Sequence, residues 1–449
     1  MGITIGIRRE DLDKRGEQRV ALTPSLIPNL IHHGGKVIVQ PGIHPSAGEN
    51  KRAFSDQDYT DAGASLSEDL SGADLILGLK EVKAAALIPG KPHLFFSHTH
   101  KGQVKNRPLL AEMQRKGVTL IDYELITNQE EQRLLTAFTY FAGYAGMTDS
   151  LWTYGERMKQ QGIDHPFSHI PQSIHAESLA QVHALVAAAG EQIKTHGTPQ
   201  ELPPFIAVFL GNGKTSTGAQ EIYDLLPVEE ITLDQLSHVY ESGSRNRVYK
   251  LVLEVADMFR LKVDAPFGEE LQDRQVFYKT YRREPQHFES NLEYVFPYAS
   301  MLMNCITWGP EYPRLLSRDQ AAEWYAQRQT VEVIGDITCD PEGSIQFSQE
   351  TWIDQPVFVY DPASRVSTLG MEGDGIAVMA VTNLPCEFSA DASARFASEL
   401  APLHDALLKA DWQAEDFEDS GLPPELAKAT ILWQGKLTPD FAYMAEYVG

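Results

Sequence analysis

The sequence predicts an α/β protein with parallel sheets, in which one domain is inserted into a second, discontinuous domain. Three observations lead to this fold class. Short apolar segments alternate with helical patterns from residue 3 to residue 122, as in βαβ units. A strand, a glycine-rich turn and a helix follow one another in the middle of the chain, at residues 204–226. An amphipathic helix is predicted at residues 391–410, where it would return the chain to the first domain.

The composition is typical of a folded protein with an acidic bias. The chain has 449 residues, of which 43% are hydrophobic and 22% charged, enough for two or three domains with separate cores. The formal net charge of −24 argues against nucleic acid and anionic membranes as partners, because neither would be attracted to it. An anionic ligand must therefore be held by local positive charge.

Cysteine use and the lack of a recognisable targeting signal in the sequence favour a cytoplasmic protein. Cys305, Cys339 and Cys386 lie far apart without metal-ligand spacing, which favours buried thiols in a reducing environment. Residues 1–9 look like a strand rather than a signal peptide. No apolar stretch approaches the ~18–20 residues that span a bilayer. We expect a soluble, cytoplasmic protein that binds no metal.

The first domain contains five predicted strands and two helical segments. The strands are short and apolar, at residues 3–7, 36–40, 75–79, 94–96 and 119–122. The helical patterns cover residues 25–33 and 103–116. No glycine fingerprint follows the first strand, so we do not expect this domain to bind a nucleotide.

A second set of elements surrounds and follows the glycine-rich turn. We expect long helices at residues 134–158 and 176–193, with Gly143 and Gly146 allowing close packing of the first. Residues 263–297 are polar, aromatic and weakly periodic, and we expect loop or short helix there. Ser389 is predicted to cap the helix at 391–410. Further strands are predicted at residues 229–232, 331–337, 357–360 and 375–381.

The glycine-rich turn is the clearest chemical motif. Gly211-Asn-Gly-Lys-Thr-Ser-Thr-Gly218 follows an apolar strand and precedes a helix predicted at 219–226, the order that binds a dinucleotide pyrophosphate. Gly211 would allow the tight turn, and Gly213 the approach of the phosphates. The third position of G-x-G-x-x-G is Ser216, and the next glycine is Gly218. Such loops also occur as ordinary turns, but this context favours a Rossmann-like nucleotide domain.

Two titratable side chains follow neighbouring predicted strands of the first domain. Lys80 ends the apolar run 73–79, at the sheet edge where α/β proteins bind ligands. Burial at such an edge lowers the pKa of an amine, so that the neutral form can accept a proton. His98 follows the next strand, so the two would form an acid–base pair. The pattern does not choose between His98 and His100. A solvated lysine and a structural histidine are the alternatives, and a metal site at the two histidines lacks a third ligand.

Charged residues at other predicted strand ends are less specific candidates. Asp122 and Glu124 could orient Lys80 or His98, but acidic residues in such positions are often helix caps. Asp336 and Asp340 bracket the end of a later strand, near the nucleotide site if the sheet order is the usual one. One of four arginines could bind a substrate carboxylate, or all could pair with surface acids: Arg8, Arg9, Arg15 and Arg19.

Short motifs spread over the whole chain carry a family resemblance. They lie at residues 7–10, 19–24, 73–81, 95–99, 120–124, 141–147, 211–220, 304–308, 313–317, 336–340, 343–345, 381–385 and 435–439. The chain resembles the family of alanine dehydrogenase, the nicotinamide-nucleotide transhydrogenase domain and saccharopine dehydrogenase. Residues 304–308 and 313–316 look like the reductase branch, which includes the lysine–2-oxoglutarate reductase half of aminoadipic semialdehyde synthase.

The resemblance implies both a fold and an activity. It implies two Rossmann-like domains, with a nucleotide-binding domain at residues 139–384 inserted between substrate-domain segments 1–138 and 385–449. It implies an NAD(P)H-dependent condensation of L-lysine with 2-oxoglutarate to saccharopine, in lysine degradation, without the semialdehyde-forming half. A homo-oligomer is compatible with it. The alternatives are an NAD-linked saccharopine dehydrogenase of lysine biosynthesis, an alanine dehydrogenase-like enzyme, and a non-catalytic sensor of nucleotide or lysine.

Residue roles also follow from the resemblance. Lys80 would be the general base, His98 the general acid, Glu124 the electrostatic partner of His98, and Arg19 a carboxylate clamp. Asp340 matches an aspartate that faces the reaction centre in alanine dehydrogenases, and would contact substrate. Arg133 is out of register with the family arginine, so we assign it no role.

The cofactor is expected to be NADP(H), with NAD(H) as the alternative. Glu229, Glu230 or Asp234 could hold a ribose, because a carboxylate is expected ~20 residues beyond the glycines. Arg245 and Arg247 could instead neutralise a 2′-phosphate, and the relatives use NADP(H). The full set expected to contact the cofactor is Gly211, Gly213, Lys214, Ser216, Gly218, Arg245, Arg247, Asp336 and Asn383.

Overall fold

A computed structural model of the chain describes residues 2–327 and 331–447. The chain forms two compact units: unit 1 comprises Met1–Phe138 and Ser389–Gly449, and unit 2 comprises Thr139–Phe388. Residues 1, 328–330, 448 and 449, which fall within the predicted domains, lie outside the described residues. Unit 1 is thus discontinuous in sequence, and unit 2 is continuous.

The strands, in chain order, are β1 (Thr4–Ile7), β2 (Lys36–Val39), β3 (Ser65–Leu66), β4 (Leu75–Leu77), β5 (Pro92–Phe95), β6 (Thr119–Asp122), β7 (Ile206–Leu210), β8 (Val228–Glu230), β9 (Val248–Leu253), β10 (Phe259–Leu261), β11 (Phe288–Ser290), β12 (Met301–Asn304), β13 (Val333–Asp336), β14 (Val357–Asp361), β15 (Val366–Leu369), β16 (Ile376–Met379), β17 (Thr430–Trp433) and β18 (Lys436–Leu437). The α-helices are α1 (Ile27–His32), α2 (Asp56–Asp61), α3 (Arg107–Arg115), α4 (Ala137–Gln160), α5 (Leu179–His196), α6 (Lys214–Tyr223), α7 (Leu236–Ser242), α8 (Val255–Met258), α9 (Arg274–Arg283), α10 (Arg318–Gln327), α11 (Ser389–Leu400), α12 (His404–Lys409) and α13 (Pro424–Lys428).

Unit 1 is built on one sheet of eight strands, in the order β18-β17-β6-β5-β4-β1-β2-β3. Strands β1 to β6 run parallel, whereas β17 is antiparallel to β6 and β18 to β17. Strands β4 and β5 are buried along their whole length, as expected for the centre of a parallel sheet. The carboxyl ends of β1, β4, β5 and β6 therefore meet at one edge.

Unit 2 is built on a second sheet of eight strands, in the order β15-β14-β16-β13-β12-β7-β9-β8. The six strands from β16 to β8 in this order run parallel, and β14 and β15 are antiparallel to their neighbours. Strand β7 lies at the centre and is completely buried. Both units are thus α/β layers around a largely parallel sheet, which confirms the predicted fold class.

Helices α4 and α6 pack closely in unit 2, because two glycines remove side chains from their contact. A Cβ on Gly143 would collide with the Thr215 carbonyl oxygen, and a Cβ on Gly218 with the Tyr140 carbonyl oxygen. Gly218 therefore performs the helix-packing role of the last glycine in a dinucleotide fingerprint, although it stands two residues later than usual.

Three element predictions need correction. Residues 263–297 contain the ten-residue α9, which agrees with the predicted short helix, but also the strand β11, which was not predicted and pairs antiparallel with β10. The predicted helix at 391–410 is two helices: Pro402, which lacks an amide N–H, lies in the 3₁₀ turn between α11 and α12. Ser389 is the first residue of α11 rather than a cap ahead of it.

A buried pair of carboxyl groups links α4 to the turn Leu384–Phe388 in unit 2. Asp149 is fully buried and accepts a hydrogen bond from the Ser173 N–H (2.8 Å), and Glu387 accepts one from the Ile174 N–H (3.0 Å). Burial raises the pKa of Asp149 to about 6, and burial together with the neighbouring charge raises that of Glu387 well above its usual value. Both shifts favour the protonated forms, because burial penalises the charged carboxylates.

Residues 2–327 and 331–447 lack two features. No helix there is both long enough and apolar enough to cross a bilayer. No three His, Cys, Asp or Glu side chains of that part of the chain are grouped so that they could hold a metal ion.

Candidate active site

Lys80 lies just beyond β4, at the carboxyl edge of the unit 1 sheet. Glu10 fixes the backbone there, since its two carboxylate oxygens accept hydrogen bonds from the Leu79 N–H (2.8 Å) and the Lys80 N–H (3.0 Å). Glu10 is buried, and burial raises its pKa. The half-buried Lys80 amine makes no hydrogen bond or ion pair with any residue that the structure describes. It is therefore available to a ligand at this edge.

His98 follows β5 and is held by a carboxylate that the sequence analysis passed over. Its Nδ1 lies 2.6 Å from Oε1 of Glu81, whose second oxygen accepts a hydrogen bond from the Lys14 amine (2.8 Å). Burial raises the pKa of Glu81, but the hydrogen bonds from His98 and Lys14 outweigh it and hold that pKa well below its usual value. Glu81 is thus an anion that orients the imidazole. Its position next to Lys80 in the sequence was the available signal.

Asp122, at the end of β6, fixes the backbone that carries His98. The buried carboxylate accepts hydrogen bonds from the Ser97 hydroxyl (2.6 Å) and from the backbone N–H groups of Ser97 (3.0 Å) and His98 (3.2 Å). His98 has a φ of 52°, a left-handed conformation that a non-glycine residue adopts only when its surroundings enforce it. The geometry of β6 therefore decides where the imidazole lies.

Glu124 lies at ion-pair distance from His98, its expected electrostatic partner, but makes its shortest contacts with other cations. Its carboxylate contacts Lys101 and Arg133, each at 2.8 Å, whereas His98 Nε2 lies 4.0 Å away. His100 is closer to Glu124, at 3.7 Å. Arg133, to which we assigned no role, therefore belongs to the same charged cluster through Glu124.

Three of the four arginines after β1 are paired with carboxylates: Arg8, Arg9 and Arg19. Arg19 and Glu17 form a buried pair with two short contacts, of 2.8 and 2.7 Å, and the Arg19 guanidinium lies 4.3 Å from the centre of the Phe138 ring. Arg8 pairs with Asp11, and Arg9 with Glu68. Both side chains of the Arg19–Glu17 pair are buried, which distinguishes Arg19 from an arginine that pairs at the surface.

In unit 2, the glycine-rich turn joins β7 to α6. Gly211 has a φ of 100°, and a Cβ there would lie 2.9 Å from the Ile306 side chain. Helix α6 begins at Lys214, earlier than the predicted residue 219, and Gly213 stands at its N-cap without a side-chain hydrogen bond. The first-turn N–H groups of this ten-residue helix are thus directed toward an open position at Gly213, suited to an anion.

Three other predicted cofactor contacts lie on α6 or after β16. Lys214 is exposed in the first turn of α6. Ser216 is buried, and its hydroxyl accepts a hydrogen bond from Gln220 (3.0 Å). Asn383 follows β16, with its amide 2.7 Å from the Cys386 sulfur.

Asp336 ends β13 in a buried polar network. It accepts a hydrogen bond from Asn304 Nδ2 (2.7 Å) and one from the Ser348 hydroxyl. Burial raises the pKa of Asp336, and burial and then the charge of Asp336 raise that of half-buried Asp340. Among the described residues, Asn304 Oδ1 is buried without a hydrogen-bond partner. A donor group of a bound cofactor would satisfy that oxygen.

Arg245 and Arg247 do not lie near the glycine-rich turn, so their assignment to the cofactor was wrong. They precede β9, which runs parallel to β7 with Leu253 opposite Leu210, and therefore stand at the other edge of the sheet. Arg245 donates to the carbonyl oxygens of Pro199 and Leu202, and Arg247 pairs with Glu229.

The carboxylate that follows β9 is Glu254, which the sequence analysis missed. Its Oε1 accepts a hydrogen bond from Asn212 Nδ2 of the glycine-rich turn (2.8 Å). Glu229 and Glu230 lie within the edge strand β8 instead. The usual spacing of ~20 residues fails because β8 and α7 are interposed before β9.

Comparisons with known proteins agree with this architecture. Residues 6–145 match the model of the "Alanine dehydrogenase/PNT, N-terminal domain". The alpha-aminoadipic semialdehyde synthase of Arabidopsis thaliana is 36% identical over 98% of this chain and 41% of its own length. The mitochondrial alpha-aminoadipic semialdehyde synthase of Rattus norvegicus is 32% identical over 98% of this chain and 47% of its own length. The chain thus spans less than half of these two relatives.

A solved structure described as L-alanine dehydrogenase has the same fold. It superposes with a TM-score of 0.62 at 19% identity, over 100% of both chains. The chain thus shares the fold of an L-alanine dehydrogenase and is similar in sequence to alpha-aminoadipic semialdehyde synthases.

Proposed function

We propose that the protein is a lysine–2-oxoglutarate reductase, a saccharopine dehydrogenase of the L-lysine-forming type that works in lysine degradation. One observation carries the proposal. The half-buried amine of Lys80, free of ion pairs within the described residues, stands at the same sheet edge as the carboxylate-held imidazole of His98. Similarity to aminoadipic semialdehyde synthases over 98% of the chain supports it.

In this proposal the residues of unit 1 transfer protons. Lys80 removes a proton from the ε-ammonium of lysine, so that the amine attacks the 2-oxo carbon of 2-oxoglutarate. His98 protonates the carbinolamine oxygen, which leaves as water and produces an imine. Glu81 stabilises the imidazolium and orients the ring. Glu124, bound to Lys101 and Arg133, balances the local positive charge.

Unit 2 has the features needed to hold the nicotinamide dinucleotide. The N-terminus of α6 offers backbone donors to the pyrophosphate, and Gly211 and Gly213 keep side chains away from it. The unpartnered Asn304 Oδ1 suits an amide donor such as the nicotinamide carboxamide. When bound in its reduced form, the cofactor supplies the hydride that reduces the imine. NADP(H) is the favoured form, with NAD(H) as the alternative.

Substrate carboxylates require cations or donors, and Arg19 is the proposed clamp. Glu17 orients its guanidinium from one side, as in other bidentate arginine pairs. Asp340, whose pKa is raised by burial, is proposed to contact the substrate, and Asn383 the cofactor. In functional terms, residues 1–138 with the returning segment form the substrate domain, and unit 2 is the nucleotide domain.

The assay that tests the proposal uses paired substrates. Lysine plus 2-oxoglutarate is incubated with NADPH or NADH, and pyruvate plus ammonia serves as the contrasting pair. Loss of dihydronicotinamide absorbance with the first pair is the expected result. Turnover of the second pair alone would make the protein an alanine dehydrogenase-like enzyme. No turnover of any amino-acid and oxo-acid pair would favour a sensor of nucleotide or lysine.

We further propose a cytoplasmic location. Cys305, Cys339 and Cys386 are buried free thiols, which fits a reducing compartment. The rat relative is named as mitochondrial, so the alternative is that organelle. Fractionation of cells that contain the full-length protein distinguishes the two.

A further inference from the structure

A fully buried lysine of unit 1 lies beside the loop between β1 and Arg19. The side chain of Lys51 is 0% exposed, so solvent does not reach its amine. The amine donates hydrogen bonds to the Lys14 carbonyl oxygen (2.7 Å) and to the half-exposed carboxylate of Glu49 (3.0 Å). Removal of an ammonium group from water is costly unless the group is paired and hydrogen-bonded. These two bonds offset that cost, and one of them holds the backbone of a residue in the candidate active site.

The Lys14 carbonyl oxygen connects two parts of the candidate active site. Besides the bond from the buried amine, it accepts a hydrogen bond from the Glu17 N–H (3.1 Å). The Lys14 side chain binds Glu81, whose other oxygen orients His98. The Glu17 side chain binds Arg19, the proposed carboxylate clamp. The imidazole and the clamp therefore depend on the same main-chain oxygen.

The loop that carries Lys14 is irregular, whereas the segment that carries Lys51 is fixed. Residues 8–23 form neither a helix nor a strand. On the other side, the fully buried Arg52 donates hydrogen bonds to the carbonyl oxygens of Gln40 and Phe54. A loop without helical or sheet hydrogen bonds is positioned by the side chains that bind its main-chain groups. Lys51 thus connects a rigid segment to a loop that has little support of its own.

We infer that Lys51 is a positioning residue for the reaction proposed above, and that its ammonium group fixes both the general acid and the substrate clamp. The inference rests on the proposed function for the roles of His98 and Arg19. Without a donor at position 51, the Lys14 carbonyl oxygen keeps only its bond within the loop, and the Lys14 amine is free to move away from Glu81. A catalytic group that is displaced by about 1 Å can lose about 10²-fold in rate, so the effect reaches turnover.

Steady-state kinetics of Lys51→Met in the full chain test this inference. Methionine resembles lysine in length but donates no hydrogen bond. We expect kcat to fall about 10-fold, because the imidazole loses its fixed orientation, and KM for 2-oxoglutarate to rise about 5-fold, because the clamp does too. Nucleotide affinity should stay unchanged, since Lys51 belongs to unit 1. Lys51→Arg keeps a cationic donor and should restore most of both constants.

A double variant shows whether Lys51 acts through Lys14. Lys14→Met alone should lower kcat about 10-fold, and the addition of Lys51→Met should change kcat by less than about 2-fold more, whereas independent effects would multiply to about 100-fold. Lys116→Met is the matched control. Its amine likewise donates to two main-chain oxygens of unit 1, those of Ala84 and Leu87, but Lys116 precedes β6 and stands at the amino end of that strand. This control should leave kcat and KM unchanged.

Proton NMR tests the same chain of contacts without turnover. Glu81 is an anion, so the Nδ1–H of His98 donates to it and gives a downfield resonance, which its loss in His98→Gln assigns. This resonance should move or broaden in Lys51→Met and stay in place in Lys116→Met. The signal reports the position of the imidazole even if no substrate pair is turned over. Failure of the proposed reaction is therefore distinguishable from failure of this inference.

Three results would overturn the inference. The first is an unchanged Nδ1–H resonance in Lys51→Met, provided that thermal melting shows this variant to be folded. The second is a loss of kcat that multiplies in the double variant. The third is a wild-type measurement, which decides if Lys51→Met does not fold: in hydrogen–deuterium exchange, residues 11–18 should exchange more slowly than residues 262–268, which also lack helix and strand. Equally fast exchange would mean that the loop is not fixed.

Discussion

The two units place polar groups at the carboxyl edge of a parallel sheet, but they use different kinds of group. In unit 1 the edge carries titratable side chains in close contact, with His98, Glu81 and Lys14 in one hydrogen-bonded chain. In unit 2 the edge presents the first-turn backbone N–H groups of α6 beside Gly213, together with the Asn304 amide and the buried carboxyl group of Asp336. One architecture therefore serves two tasks: charged groups can exchange protons, whereas fixed dipoles hold an anion without exchanging any.

The largest expected effect comes from removing the titratable groups of unit 1. Lys80→Met and His98→Gln should each lower turnover by about 10²–10⁴-fold, the usual contribution of general acid–base catalysis. Nucleotide affinity, measured by fluorescence titration, should remain, because these residues belong to unit 1. Lys83→Met is the control, since Lys83 is an exposed lysine paired with Asp13. Near-normal turnover in both variants would contradict the assignment of proton transfer to this edge.

The second-largest effect is expected from a change in the glycine-rich turn, which positions the backbone donors of unit 2. Gly211→Ala should weaken nucleotide binding by about 10–100-fold, because a φ of 100° and a Cβ 2.9 Å from Ile306 force the turn to shift at a cost of about 1–3 kcal/mol. Gly162→Ala is the matched control: Gly162 also has a positive φ of 75°, but nothing lies within 4 Å of its Cβ position. If both variants bind nucleotide equally well, the turn has no part in binding.

A smaller effect distinguishes the two carboxylates near His98. Glu81→Gln should lower turnover by about 10-fold, because it exchanges a charge-assisted hydrogen bond for a neutral one worth about 1–2 kcal/mol less. Glu124→Gln should cost less, since Glu124 lies 4.0 Å from His98 and contacts Lys101 and Arg133 instead. Steady-state kinetics measure both. A larger loss in Glu124→Gln would make Glu124, rather than Glu81, the main partner of His98.

The smallest effect concerns stability in unit 2 and depends on pH. Because the pKa of Asp149 is raised by burial to about 6, its protonated form favours folding, and this contribution is lost as the pH rises through 6. Asp149→Asn should therefore gain on the order of 1 kcal/mol over wild type between pH 5 and pH 8. Urea unfolding at the two pH values measures it, and exposed Asp264→Asn should show no such gain. A gain that is the same at both pH values would contradict the explanation.

Much of the fold follows from apolar periodicity. The strand at residues 119–122 and the strand that precedes the glycine-rich turn were predicted because buried parallel strands are continuous apolar runs bounded by turns. The bounds of helix α9 were not predicted, since its apolar residues are few and it packs through rings such as Phe277 and Tyr281. The break between α11 and α12 depends on Pro402, whose effect the amphipathic pattern concealed.

The candidate site was predictable where a residue follows its strand directly. Lys80 and His98 are of this kind. Glu81 was missed because its role depends on the direction of a side chain, which strand order does not determine. Arg245 and Glu254 show a second limit: counting residues from the glycines does not reveal at which sheet edge a side chain lies, because β8 and α7 intervene.

The pairing of β6 with β17 has a consequence for biosynthesis. The Gln434 N–H binds the Thr119 hydroxyl across 315 positions of sequence, and all of unit 2 lies between them. At the ~5–20 residues per second of translation, β6 emerges roughly 15–60 s before its partner strand. During that interval unit 2 can complete its own sheet, while β6 presents an open edge to other chains. The nascent protein is therefore most prone to aggregate, and most in need of a chaperone, while unit 1 waits for residues 430–437.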